Sequence, residues 1–114
     1  KIAVDMEASE FFIDGKYDLD FKNPAGSSGG LSASKMCDMY QDLIAKYPVV
    51  SITNPFESDD WDAYAKLTAI VGTTTQIVAD DLTCSNPNRI AKAIEKSACN
   101  AISLKLIECG TVTE

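Results

Sequence analysis

Four short apolar runs, each stopping at a polar group before a turn, limit what this chain can fold into more than any other feature. Ile2-Ala3-Val4 stops at Asp5, and Val49-Val50-Ser51-Ile52 at Thr53-Asn54-Pro55. Ile77-Val78-Ala79 stops at the adjacent carboxylates Asp80 and Asp81, and Ala101-Ile102-Ser103-Leu104 at Lys105. Short β-branched runs of this kind read as buried strands of a parallel sheet. Segments of helical period separate them, giving the βα succession of a parallel sheet or barrel. The polar ends at 53, 80 and 105 are 27 and 25 residues apart, one βα unit each, while the 48 residues from 5 to 53 leave room for an insertion. Parallel strands gather such ends at one rim, where α/β folds carry out their chemistry. The expected fold is therefore α/β, a partial (β/α) TIM-type barrel of about four βα units, with a small open sheet as the alternative.

The segments between the runs supply the helices. Ser32 is a suitable N-cap for a helix whose inner face holds Met36, Tyr40, Leu43, Ile44 and Tyr47, ended by Pro48. Ser58-Asp59-Asp60 caps a second helix, carrying Trp61, Tyr64, Ala65 and Ile70 inward and closing at Gly72. Asn86 as N-cap and Pro87 at the first helical position open a third, with Ile90, Ile94 and Ala98 as its stripe. Within the insertion, Asp14-Gly15 marks a turn before a half-exposed strand over 16–21, a hairpin-like excursion. The Asn, Pro, Ala, Gly and Ser of 23–30 predict a surface loop. Gly29-Gly30 lacks the strand, lysine and glycine spacing of a phosphate loop.

The 114 residues, 46% apolar and 24% charged, suit one ordinary domain segment. A formal charge of −7 makes nucleic acid and anionic membranes poor partners and cations better ones. No long apolar span suggests a membrane helix. Cys37, Cys84, Cys99 and Cys109 form no C-x-x-C pair and read as reduced, buried thiols of a cytoplasmic protein rather than a zinc site or disulfide framework. The chain starts on a strand and closes on Thr111-Val112-Thr113-Glu114, a capping box that announces a helix, so residues 1–114 are expected to be a single segment of a larger barrel.

Asp5, Asp80 and Asp81 offer hard oxygen ligands, and without histidine or clustered cysteine they suit Mg²⁺ or Ca²⁺ better than zinc or copper. Asp5 and Asp81 can instead cap turns or pair with nearby lysines. Lys105, at the end of a strand near those carboxylates, is either a general base with a pKa lowered by bound cations or a plain salt-bridge partner. The absence of histidine excludes a Ser/His/Asp or Cys/His triad within these residues.

The chain resembles the enolase family throughout. The resemblance rests on Ala8-Ser9-Glu10-Phe11-Phe12, on the run from Gly15 through Lys16-Tyr17-Asp18-Leu19-Asp20-Phe21-Lys22-Asn23 to Pro24, and on Asp59-Asp60-Trp61. It continues in Val78-Ala79-Asp80-Asp81-Leu82-Thr83, Asn86-Pro87, Arg89-Ile90-Ala91-Lys92-Ala93-Ile94 and Leu104-Lys105. It implies a segment of the catalytic barrel of a Mg²⁺-dependent lyase, usually homodimeric, that dehydrates 2-phosphoglycerate to phosphoenolpyruvate in glycolysis. A carbon acid beside a carboxylate is so weak that divalent cations must neutralise the charge formed when its proton leaves. By the same resemblance Asp5 and Asp80 fall on two of three acidic strand ends that hold the metal, Asp81 lies beside the second, and Lys105 falls on the proton-abstracting lysine.

The third acidic strand end departs from that pattern. Where enolases have Glu-Asp-Pro-Phe, this chain has Thr53-Asn54-Pro55-Phe56, a neutral and weaker ligand in place of a carboxylate. After the lysine, Leu106-Ile107-Glu108-Cys109-Gly110 stands where enolases have Val-Asn-Gln-Ile-Gly, and an inward Glu108 would raise the pKa of Lys105. Three expectations compete: a piece of an enolase-type lyase, inactive by itself; a non-catalytic enolase-like binding or structural protein with a decayed metal site; and a stand-alone Mg²⁺ or Ca²⁺ module.

Overall fold

The computed structural model describes residues 1–23 and 29–113. Most of the loop expected over 23–30, and Glu114 of the capping box, lie outside the described residues. In chain order the elements are β1 (Ile2–Asp5), a 3₁₀ turn (Ala8–Phe11), β2 (Phe12–Ile13), β3 (Lys16–Tyr17), α1 (Ala33–Lys46), β4 (Val49–Thr53), α2 (Trp61–Val71), β5 (Gln76–Ala79), α3 (Pro87–Glu95), β6 (Ala101–Ile102) and α4 (Leu106–Cys109).

The four runs are parallel neighbours in the order β1-β4-β5-β6, the arrangement of consecutive βα units and the α/β, partial-barrel architecture expected. Asp5 pairs with Thr53, Thr53 with Val78, and Ala79 with Ile102, so the polar ends share one edge. Backbone bonds carry the ladders past the strands: Met6 N–H to Thr53 O at 3.0 Å, Asn54 N–H to Val78 O at 3.3 Å and Ser103 N–H to Ala79 O at 3.1 Å.

Local chemistry sets the helix starts. Ser32, Asp60 and Asn86 each accept a first-turn backbone N–H through the side chain, and Pro87 occupies the first turn of α3. The helices and the strand residues Ile52, Ile77 and Ala79 enclose one core, with Tyr40, Phe56, Tyr64, Leu67 and Leu82 fully buried. Each such side chain contributes about 1.5–3 kcal/mol by leaving water. The insertion is a hairpin as expected, with β2 antiparallel to β3 and left-handed φ at Asp14 (49°) and Gly15 (79°).

Several expected faces are corrected. β1 is mostly exposed instead of buried on both sides, because it is an edge strand with one neighbour. Tyr47 is 56% exposed: it precedes Pro48, which forces it out of the helix into extended backbone. On α2 the inward stripe is Trp61, Tyr64, Leu67 and Val71, with Ala63; Ile70 is a position off that stripe and exposed, and Ala65 is only half-buried. On α3 only Ala93 is buried, while Ile94 is 74% exposed. Ile90 and Ile94 instead line an open groove with Ile102, Leu104 and Val112, past the last strand of the sheet. Strands β3 and β6 are two residues each, shorter than their apolar patterns. All four cysteines are free, but only Cys37 is buried and Cys84 is exposed.

Candidate functional site

The rim is organised from the exit of β4. Asn54 is buried, 1% exposed, with a left-handed φ of 47°, a conformation asparagine tolerates better than most residues. Aromatic side chains fix the chain just after it. The Phe56 ring meets Tyr17, Tyr40 and Tyr64 edge-on at centroid distances of 6.1, 5.7 and 5.6 Å. The Tyr40 hydroxyl donates to Pro55 O at 2.7 Å and that of Tyr64 to Phe56 O at 3.4 Å. The Tyr17 hydroxyl accepts the Glu57 N–H at 3.0 Å and donates to Asp60 Oδ2 at 3.4 Å. Burial pushes all three phenols above their ordinary pKa, so they remain donors.

So fixed, the Asn54 amide joins three strand exits. Its Nδ2 donates to Glu7 Oε1 at 3.0 Å, beyond β1, and its Oδ1 accepts the N–H groups of Asp80 at 3.3 Å and Asp81 at 3.2 Å, beyond β5. Only this amide orientation satisfies both sides, since a carboxylate cannot donate and a backbone N–H cannot accept. The Asn54 carbonyl also accepts the Ala8 N–H at 3.1 Å.

The structure brings Asp5, Asp80, Asp81 and Lys105 to one rim. Burial, then the Glu7 carboxylate, and less strongly Asp80, hold the Asp5 carboxyl above the usual range. Burial and the charges of Glu7 and Asp80 do the same to Asp81, opposed by Lys105. Asp80 is 8% exposed; its Oδ2 contacts Lys105 Nζ at 2.7 Å, and its Oδ1 is buried without a hydrogen-bond partner. The hydrogen bond to Asp80 holds the Lys105 ammonium above its ordinary pKa, assisted by Glu108, whose Oε1 is 3.6 Å away. Glu108 thus points at the lysine, and Lys105 here makes the salt bridge that was one of its two readings.

The loop after β5 links Lys105 to the rest. Cys84 and Ser85 both have left-handed φ, 45° and 51°. The Ser85 hydroxyl accepts the Lys105 N–H and donates to Glu108 Oε2, both at 2.8 Å. Arg89 secures the same loop to the start of α2, with Nε donating to Leu82 O at 2.7 Å and one terminal nitrogen to Ser58 O and Asp59 Oδ1, both at 2.8 Å.

A hard divalent ion needs several anionic oxygens converging on one point. The orphaned Asp80 Oδ1 is the feature that would receive a cation. The remaining donors do not complete a centre. Thr53 is neutral, the Asn54 oxygen is committed to two N–H groups, the other Asp80 oxygen is matched by Lys105, and among the described residues no group of three or more Asp, Glu, Cys or His is placed to hold a metal. The family's three-carboxylate arrangement is not assembled by these residues.

Sequence reasoning missed Glu7 and Ser85, and it noticed Asn54 only as a departure. The spacing of Glu7, two residues past Asp5, was the available signal for placing it at the rim. Nothing in the sequence marks Ser85 as a partner of residues twenty and more positions later. Among the described residues no helix is long and apolar enough to cross a membrane. A family model described as "Enolase, C-terminal TIM barrel domain" matches residues 1–114.

Proposed function

Because the chain belongs to the enolase C-terminal TIM barrel family, we propose that it forms one arc of the active-site rim of an enolase-type lyase, dehydrating 2-phosphoglycerate to phosphoenolpyruvate in glycolysis. Residues 1–114 are in this reading a single segment of the catalytic barrel. Lys105 takes the α-proton, Asp5 and Asp80 are the ligands this segment offers to Mg²⁺, and Asp81 and Thr53 stand behind them. The parent is a cytoplasmic homodimer with a small phosphorylated substrate and no nucleic-acid or membrane partner. The supporting observation is the 2.7 Å contact between Lys105 and Asp80 at adjoining strand ends, which positions an amine among carboxylates on the expected rim. The segment by itself has no activity.

The neutral Thr53-Asn54 pair supports a second reading, a non-catalytic enolase-like protein with a decayed metal site. An assay of the full-length protein with 2-phosphoglycerate and Mg²⁺, beside the Thr53→Glu/Asn54→Asp double variant, separates the two. Turnover in the unaltered protein equal to that of the double variant eliminates the second reading. Turnover only after substitution eliminates the first.

A further inference from the structure

The Asn54 amide lies where a rim of carboxylates would otherwise need a counterion. The strand ends it joins carry Asp5 and Glu7 on one side and Asp80 and Asp81 on the other. We propose that Asn54 is a clasp that closes the rim without a divalent ion: its N–H binds the Glu7 carboxylate, its oxygen binds the Asp80 and Asp81 amides, and Lys105 balances Asp80. The cross-linking that a cation gives to converging carboxylates is supplied by one buried, neutral side chain. Asn54 and Glu7 are positioning residues here, acting on the strand ends and not on substrate. The inference rests on the second, non-catalytic reading: a rim closed by Asn54 keeps its strand ends together with no resident Mg²⁺ on Asp5 and Asp80.

Chemically, the exchange of an amide for a carboxylate at this position has a definite sign. Asn54→Asp keeps the two bonds from the Asp80 and Asp81 amides but leaves no N–H for Glu7, so two carboxylates meet at hydrogen-bond distance. Such a rim needs a cation or a proton shared between the two carboxylates. Adding Glu7→Gln restores the link with its polarity reversed, the new amide donating to the new carboxylate. In the unaltered background Glu7→Gln still leaves an oxygen to accept from Asn54, so that change alone is mild.

The test is thermal unfolding of the full-length protein in EDTA and in Mg²⁺, followed for the unaltered protein, Asn54→Asp, Glu7→Gln and the double variant. The clasp predicts the same Tm in EDTA and Mg²⁺ for the unaltered protein, a fall of about 3 °C or more for Asn54→Asp in EDTA, and recovery of most of that fall in the double variant. The coupling between positions 7 and 54 carries the result, because it cancels the separate effect of removing a carboxylate. A Tm of the unaltered protein raised several degrees by Mg²⁺ overturns the proposal, as does the absence of coupling. If Asn54→Asp does not fold, the metal comparison on the unaltered protein still decides; a Tm independent of Mg²⁺ without coupling between positions 7 and 54 sinks the clasp alone, whereas a Tm raised by Mg²⁺ sinks the clasp together with the non-catalytic reading.

Discussion

The turns leaving β4 and β6 end on the same rim, and they are held by different means. After β4, Asn54, Pro55 and Phe56 are buried, the Pro55 and Phe56 carbonyls taken by tyrosine hydroxyls, the Asn54 carbonyl by the Ala8 N–H, and the Phe56 ring enclosed by three others. After β6, Leu104, Leu106 and Ile107 are 68, 88 and 90% exposed within these residues, and the polar ties of Lys105 and Glu108 are the Ser85 hydroxyl and the Asp80 carboxylate. The first turn is positioned by packing that tolerates little movement. The second is positioned by a few polar contacts, and it carries the candidate base. The wall of the rim is thus fixed by the core, while the reactive amine depends on its neighbours.

The largest expected effect breaks or upholds this contrast directly. Phe56→Ala in the full-length protein should cost about 3–5 kcal/mol in urea unfolding, since it empties the centre of the tyrosine cluster. Ser85→Ala, which removes the hydroxyl bonded to Lys105 N–H and Glu108 at the β6 exit, should cost less on the same scale, about 1–2 kcal/mol. Equal losses would erase the distinction between the two exits.

Arg89→Ala should cost about 1–3 kcal/mol, because it leaves the Leu82 and Ser58 carbonyls without the donors that tie the β5 loop to α2. Most of that loss should survive high salt, as the Arg89–Asp59 pair is largely exposed on its acidic side and adds little. Arg89→Lys should recover little, having no fork with which to bond two loops together. A strongly salt-dependent loss would show the charge pair, and not the carbonyl bonds, to be what matters.

Tyr40→Phe should cost about 0.5–1.5 kcal/mol, the value of one buried hydrogen bond to Pro55 O. A cost near zero would show that ring packing alone holds the β4 exit, which sharpens the account instead of ending it.

The legible parts of the molecule were those written in local chemistry. The parallel βα succession followed from the polar stops, two of whose three intervals fit one unit each, helix starts from Ser32, Asp60 and Asn86-Pro87, and the hairpin from Asp14-Gly15. Helix faces were less legible because their direction depends on what lies opposite. Ile70 and Ile94 satisfied the periodicity yet face away from the core, and β1 looked like an inner strand although it lies at an edge. At the rim, the candidate residues of each strand end could be read one by one, and Asp5, Asp80, Asp81 and Lys105 share that edge, with Lys105 in contact with Asp80. Their connection could not, since it runs through an asparagine whose left-handed backbone and two-sided amide acquire meaning only once three strands are side by side.

Amide hydrogen exchange at Asp80 and Asp81 tests the role of Asn54 most directly, because the Asn54 oxygen accepts both of these N–H groups. In the full-length protein, Asn54→Ala should speed exchange at these two amides by about tenfold or more. The amide of Ile77, bonded at 2.6 Å to Asn100 Oδ1 near the starts of β5 and β6, away from the rim, should be unaffected. Replacing EDTA by Mg²⁺ should leave all three unchanged in the unaltered protein. Exchange at Asp80 and Asp81 that ignores the substitution, or that Mg²⁺ slows in the unaltered protein, would contradict a rim closed by asparagine.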